Sequence, residues 1–412
     1  CLKINEAITP FASFISPGGR PVSLALKMSV VSGPIRRFVL GDPNIHIMDV
    51  IAGRAVDLIP DTQEIVKRGE ILIPGEMAER YPEIITGETR YTESAEEYVV
   101  CNGLANLAPP DPWPEITAFP LDTLKPWVLP PVYDRITAGQ QDFIIELRVS
   151  VVGFLKFSFR DHDQENYDVS ILDDFIRRVQ HIVHEFEGQV FQITFGDKGN
   201  NIFFGFGAPV SHEDDIERAL NSSLLLMELK RTLSYLDDME IGISVGHFRT
   251  GPYGGRSRST YACLGAHANL ASRLMSHALP GQILVSQPVM DSARKFEFSP
   301  LGTLRIKGFT KPVSIFSLER RRASQAHQLT QDTSKSTGRN KEKAILKKLA
   351  EKTKTEPVDQ WCILEGQAGI GKSNLTGWMI TLARQLGYAQ LITRAEAIEE
   401  RTPYHGLLQI IQ

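Results

Sequence analysis

Two stretches of this 412-residue chain have a composition that packing alone does not explain. "GQAGIGKS" at 366–373 fits G-x-x-x-x-G-K-S, following the apolar run "WCILE" and preceding an apolar helical pattern. Gly366, Gly369 and Gly371 would let backbone N–H groups turn toward phosphate oxygens, and the helix N-terminus would add its positive end. Lys372 would then reach the β- and γ-phosphates of a nucleotide, and Ser373 would hold Mg²⁺. The plainer alternative is a glycine-rich turn with a surface lysine. The second stretch, "CLGAHANLASRL" at 263–274, reads as a buried strand, a turn at Gly265 and a helix. That helix carries Asn269 and Arg273 four residues apart, hence on one face, among Ala and Leu. A solvated face or a weak helix salt bridge is the plainer reading there.

The elements that position these residues come in two copies. "IAGRAVDLI" at 51–59 resembles "LGAHANLAS" at 264–272, with Gly53 and Gly265 separated by 212 residues (265 − 53). "GEILIP" at 69 and "GQILVS" at 281 keep the same offset, and "LKMSVVSG" at 26–33 resembles "EIGISVG" at 240–246 one residue off it. At this offset Asp57 and Asp61 stand where the later copy has Asn269 and Arg273. The later copy reads as complete. "ELRVSVVGFLKFSF" is a buried strand, Ser170 with Asp173 forms a weak capping box, and 171–186 carries an apolar helical stripe. "QVFQITF" and "NIFFGFG" flank a "GDKGN" turn, a long helix covers about 213–235, and "MEIGISVGHF" is a further strand. This β-α-β-β-α-β order predicts a ferredoxin-like α+β sandwich with an extension.

The expected domains are 1–107, the C-terminal part of a first copy; 108–140, a proline-rich extended linker; and 141–321, the second copy. A polar linker follows at 322–340, and 341–412 begins a P-loop NTPase of α/β type. A start on Cys1 and an end inside a βαβ-type pattern lead to the expectation that the chain is a fragment of a longer protein. Composition agrees with a soluble globular protein: 42% apolar and 23% charged residues, no bilayer-length apolar run and no signal-peptide pattern. A net charge of −4 gives no general pull toward nucleic acid. Four scattered cysteines (Cys1, Cys101, Cys263, Cys362) in no metal-ligand spacing favour a reducing, cytoplasmic compartment.

With these stretches in view, residues 146–320 well, and 20–90 weakly, resemble the cyclase homology domains of class III nucleotidyl cyclases of the soluble adenylyl cyclase type. In that family, two such domains precede a P-loop, AAA-type ATPase module. The resemblance implies an active site at the interface of the two domains. There the ribose 3′-hydroxyl attacks the α-phosphate of ATP, giving cyclic AMP and pyrophosphate with Mg²⁺ or Mn²⁺. Asn269 and Arg273 match the family's transition-state pair, and Lys307 in "IKGF" matches its triphosphate-contacting lysine. A guanidinium can fork onto phosphoryl oxygens while an amide orients the ribose. The two base-selecting positions fall on Gln192 and Ala262. Gln192 can exchange hydrogen bonds with a base edge, and Ala262 cannot.

The resemblance has departures. Lys156 stands at the metal-aspartate position of the first strand, so the second copy is expected to hold no catalytic metal, and the cyclase metal ligands are expected outside this chain. Base choice between ATP and GTP is open. The alternatives are a guanylate cyclase, or a signalling ATPase whose vestigial cyclase domains sense nucleotide. His181 and His184, three apart, find no third ligand and read as polar-face residues. The implied partners are ATP, the first cyclase domain of the same chain, and regulatory proteins through the ATPase module.

Overall fold

A computed structural model describes residues 1–106, 112, 119–139, 145–160, 168–196, 199–255, 259–306, 309, 311–322, 338–355, 361–365 and 372–390. The chain divides into two compact units, 1–320 and 321–412.

The first unit opens with α1 (Leu2–Ile8) and two short strands, β1 (Phe14–Ile15) and β2 (Pro21–Val22). Then come β3 (Met28–Ser29), β4 (Arg36–Leu40), β5 (Met48–Ala52), α2 (Arg54–Ile65), β6 (Ile71–Pro74), α3 (Gly75–Arg80), β7 (Ile84–Tyr91) and β8 (Glu97–Leu104). The strands pair in the order β3-β6-β8-β7, with β4 and β5 forming a separate antiparallel ribbon.

The connection at 108–140, expected to be extended, is partly helical where it is described. It holds α4 (Leu121–Leu124), a 3₁₀ turn (Lys125–Trp127) and α5 (Pro130–Thr137). Prolines at the first turn of α5 cost nothing, since those N–H groups have no partner inside a helix. The segment forms helix because Leu129 and Val132, three residues apart, are both buried against Val152, Phe191, Phe248 and Cys263. Arg135 adds an ion pair to Glu146 at 3.3 Å.

The later part runs β9 (Glu146–Phe159), α6 (Val169–Glu185), β10 (Gln189–Thr194), β11 (Asn200–Phe206), α7 (Asp215–Thr232) and β12 (Leu236–Gly254). It continues with β13 (Ser259–Leu264), α8 (Ala266–His277), β14 (Ile283–Ser286), α9 (Gln287–Ser292), β15 (Phe296–Leu304) and β16 (Val313–Arg321). Its sheet order is β10-β11-β9-β12-β14-β16-β15, with β13 on β12. The first four strands have the ferredoxin-like arrangement of a βαββαβ unit. Period-two alternation explains why β9 has two different faces. Phe157 and Phe159 meet Phe175 of α6, while Phe154, Lys156 and Ser158 are only half-buried on the other side. The stripe Leu172, Phe175, Ile176, Val179 and Val183 buries α6 against this core. Asp168, and not Ser170, caps α6, accepting the Ser170 N–H at 2.9 Å. The carboxylate of Asp173 is engaged elsewhere, by the Gly41 N–H.

The sequence offset of 212 reappears in the element bounds. α2 and α8 each have 12 residues and start 212 apart (266 − 54), as do β6 and β14 (283 − 71) and α3 and α9 (287 − 75). The order β3-β6-β8-β7 parallels β12-β14-β16-β15. Among the described residues β3 has no strand on its outer side, whereas its counterpart β12 pairs with β9 over most of its length.

In the second unit, α10 (Asn340–Thr355) packs on α11 (Lys372–Gln385) through buried Leu346, Ala350 and Leu375. The Tyr388 hydroxyl donates to the Ala350 carbonyl at 2.7 Å. No helix among the described residues is long and apolar enough to cross a membrane.

Candidate active site

α8 sits on the face of β12 opposite α7, and two glycines allow it to sit so close. Gly242 and Gly246 project to that face with Ser244 between them, as the two-residue strand period requires. A Cβ on Gly242 would lie 2.2 Å from both the Ala271 carbonyl oxygen and the Met275 nitrogen. One on Gly246 would lie 2.1 Å from Cδ2 of the His267 ring. Between them Ser244 Oγ meets His267 Nδ1 at 3.2 Å, and burial pushes the His267 imidazole pKa down. Leu270, Ala271, Leu274 and Met275 are buried beneath the helix.

At 3.6 residues per turn, Asn269 and Arg273 fall on the side of α8 opposite Ala271. Asn269 is exposed and Arg273 half-buried. Among the described residues neither side chain has a hydrogen-bond or ion-pair partner, and the elements packed on α8 are β12, β9 and β14. The pair therefore lies on the side of α8 away from its own sheet. On α2, by contrast, Asp61 accepts a hydrogen bond from Ser94 Oγ at 3.1 Å.

The base-position residues lie on converging strands. The rings of Phe191 and Tyr261, which precede Gln192 and Ala262, are 6.1 Å apart. Gln192 is exposed and turns its amide to Thr194 Oγ1 at 3.3 Å. Ala262 lies on the face of the β12–β13 ribbon that also carries Leu264, and Leu264 is exposed. The positions 212 earlier, Val50 and Ala52, are buried with Phe38 and Leu40 where β4–β5 docks on the later copy. Equivalent ribbons thus bury one such face and leave the other open.

Lys307, Gly366, Gly369 and Gly371 lie outside the described residues. Lys372 opens α11, and Ser373 is its second residue.

Lys156 Nζ stands 3.3 Å from Glu240 Oε1, and Glu240 is 6% exposed. Burial raises the Glu240 carboxyl pKa and the ammonium of Lys156 partly offsets this. A cation placed beside this ammonium would be repelled. Among the described residues no group of three or more His, Cys, Asp or Glu side chains could hold a metal. His181 is engaged by Asp42 Oδ2 at 2.9 Å.

Sequence reasoning missed the seat of α8 and the partners of α6. For the first, a signal was present: "GISVG" places glycines four apart in a strand, on one face, directly before the strand–turn–helix.

Residues 141–320 match the family described as the adenylate and guanylate cyclase catalytic domain. Human adenylate cyclase type 10 is 22% identical over 290 residues, covering 62% of this chain and 18% of that protein. The chain therefore spans under a fifth of this relative. Among solved structures, the guanylate cyclase domain of RhGC from Catenaria anguillulae is 19% identical with a TM-score of 0.38, covering 43% of this chain and 100% of that one. The adenylyl cyclase CyaB from P. aeruginosa is 20% identical with a TM-score of 0.38, covering 43% of this chain and 97% of that one.

Proposed function

We propose that this chain belongs to a soluble adenylate cyclase-like enzyme that converts ATP to cyclic AMP and pyrophosphate. In the reaction the ribose 3′-oxygen bonds to the α-phosphorus, the bond from that phosphorus to the β-phosphate bridge breaks, and pyrophosphate departs with the electron pair. Residues 1–107 are read as the C-terminal part of a first cyclase domain and 141–321 as the second domain. The observation that carries the reading is that Asn269 and Arg273 share one face of α8 within a segment matching the cyclase family. Arg273 would fork onto the phosphoryl oxygens as charge develops, and Asn269 would orient the ribose. Lys307 would contact the triphosphate, and Gln192 and Ala262 would border the base. The Mg²⁺ or Mn²⁺ that the family uses is not accommodated at Lys156. Its carboxylate ligands are read as lying outside these 412 residues.

The test uses the protein that includes this chain together with its upstream sequence, assayed for cyclic AMP and cyclic GMP from ATP and GTP. Arg273→Ala is expected to lower kcat by about a hundredfold or more; a loss smaller than about tenfold would remove Arg273 from the reaction.

The segment 366–373 is read as an ATP-binding phosphate loop of a regulatory ATPase module, with Mg²⁺ held by Ser373. Lys372→Ala should then weaken ATP binding by this module and leave the chain folded.

A second reading, vestigial cyclase domains that sense nucleotide for a signalling ATPase, draws on the Lys156–Glu240 pair and on Ala262. Nucleotide binding without turnover in the longer protein would favour it. A third, guanylate cyclase, would appear as GTP turnover exceeding that of ATP.

A further inference from the structure

The apolar stripe of α6 contains one polar exception. Gln180 is 1% exposed, buried like its neighbours Ile176, Val179 and Val183. A buried primary amide is tolerated only when its carbonyl and its NH₂ are both satisfied. The partners of Gln180 are not on its own copy. Its Oε1 accepts the N–H of Asp42 at 2.8 Å, and its Nε2 donates to the carbonyl of His46 at 2.6 Å. These are the two ends of the turn joining β4 to β5, which closes on itself through the Ile45 and His46 N–H groups to the Asp42 carbonyl.

Two further contacts reinforce the pairing. Asp173 Oδ1 accepts the Gly41 N–H at 2.8 Å, while its Oδ2 accepts Arg177 Nε at 2.6 Å. His181 Nε2 meets Asp42 Oδ2 at 2.9 Å. Gly41 has φ +109, and a Cβ there would lie 2.5 Å from the His46 carbonyl oxygen and 2.8 Å from Gln180 Oε1. The turn thus approaches α6 as closely as a backbone without a side chain allows.

We infer that Gln180 is a positioning residue that locks the β4–β5 turn of the first copy onto α6 of the second, reading both ends of that turn with one amide. Breaking one of these two bonds while the turn stays in place would strand a buried polar group, so release of the turn is close to all-or-none. This goes beyond the cyclase reading and does not depend on it.

The test is hydrogen exchange by mass spectrometry on the 412-residue chain, comparing peptides from 36–52 with peptides from α7 and β14. Gln180→Met keeps the shape of the side chain and removes the amide. It should lower protection in 36–52 by about tenfold or more, with α7 and β14 changed by less than about twofold. Gln180→Glu supplies a more specific readout. At about pH 7 the new carboxylate still accepts the Asp42 N–H but cannot donate to the His46 carbonyl, and it faces the carboxylates of Asp42 and Asp173. As the pH falls, the new carboxyl takes up a proton and donates again. Protection of 36–52, expressed relative to the unaltered chain at the same pH, should then return. Asp42, Asp173, Arg177, His46 and His181 surround position 180 in both proteins, so each comparison is made against the unaltered chain at the same pH. Protection within about twofold of the unaltered chain in Gln180→Met, or a Gln180→Glu ratio that does not change with pH, would overturn the inference.

Discussion

Lys156 Nζ and Glu240 Oε1 face each other at 3.3 Å across adjacent strands of the second copy, β9 and β12. Glu240 is nearly inaccessible, and Lys156 is its only cationic contact within hydrogen-bond reach among the described residues. The pair occupies the strand position at which the resemblance expected a metal-binding aspartate. The Lys156 ammonium stands beside the Glu240 carboxylate on this face.

Lys156→Met should destabilise the domain by about 1–3 kcal/mol at neutral pH, because it strands a buried carboxylate. Burial raises the Glu240 pKa above its usual 4.5, and losing the ammonium raises it further. For a group shifted upward, the favourable contribution is present below pH 4.5 and is lost as pH rises through the folded-state value. The penalty should accordingly shrink in acid and grow toward neutrality. Urea unfolding of both proteins across that range measures it; a penalty independent of pH would contradict the assignment.

The two glycines under α8 should respond unequally. Gly242→Ala drives a methyl into the backbone of Ala271 and Met275, which cannot move without shifting the helix. Gly246→Ala meets a side-chain ring that can rotate. We expect about 3 kcal/mol or more of destabilisation for Gly242→Ala and about 1–2 kcal/mol for Gly246→Ala, read by chemical denaturation. The reverse order would show that α8 is not seated as described.

Asn269→Ala and Arg273→Ala should leave stability within about 0.5 kcal/mol, since both side chains lack partners among the described residues. Turnover in the longer protein should fall all the same. Loss of stability alongside loss of turnover would point to packing and not to chemistry at these positions.

In the first copy, Arg90 binds both oxygens of Glu70, at 2.7 and 3.0 Å, and lowers the Glu70 pKa to about 2. A carboxyl shifted downward contributes stability above its usual 4.5 that is lost as pH falls toward about 2. Glu70→Gln should therefore flatten the acid limb of the stability profile, and the midpoint of acid unfolding reports it. An unchanged acid limb would show that this pair is immaterial.

Much of the second copy was legible because its elements carry strong local patterns. β9 coincides with "ELRVSVVGFLKFSF", and α6 follows its apolar stripe. The repeat offset of 212 located α2 and α8 to the residue, since a strand–glycine–helix turn depends on neighbours in sequence. The linker was misread because composition reports propensity, and proline at a helix's first turn is compatible with helix. The cap differs because Asp168 and Ser170, two positions apart, are both good N-cap residues, and the structure starts the helix at Val169.

The amino-acid order alone set the 212-residue offset, and with it the spacing of Asn269 and Arg273 and the G-x-x-x-x-G-K-S pattern at 366–373, the last two of which depend on residues within a few positions of one another. What it could not set was who meets whom across long separations. The Asp42 and His46 partners of Gln180 are 138 and 134 residues away, and the ammonium paired with Glu240 is 84 residues away. Those pairings arise only when sheets stack and ribbons dock, because burial and geometry, not local sequence, decide which polar groups must satisfy each other.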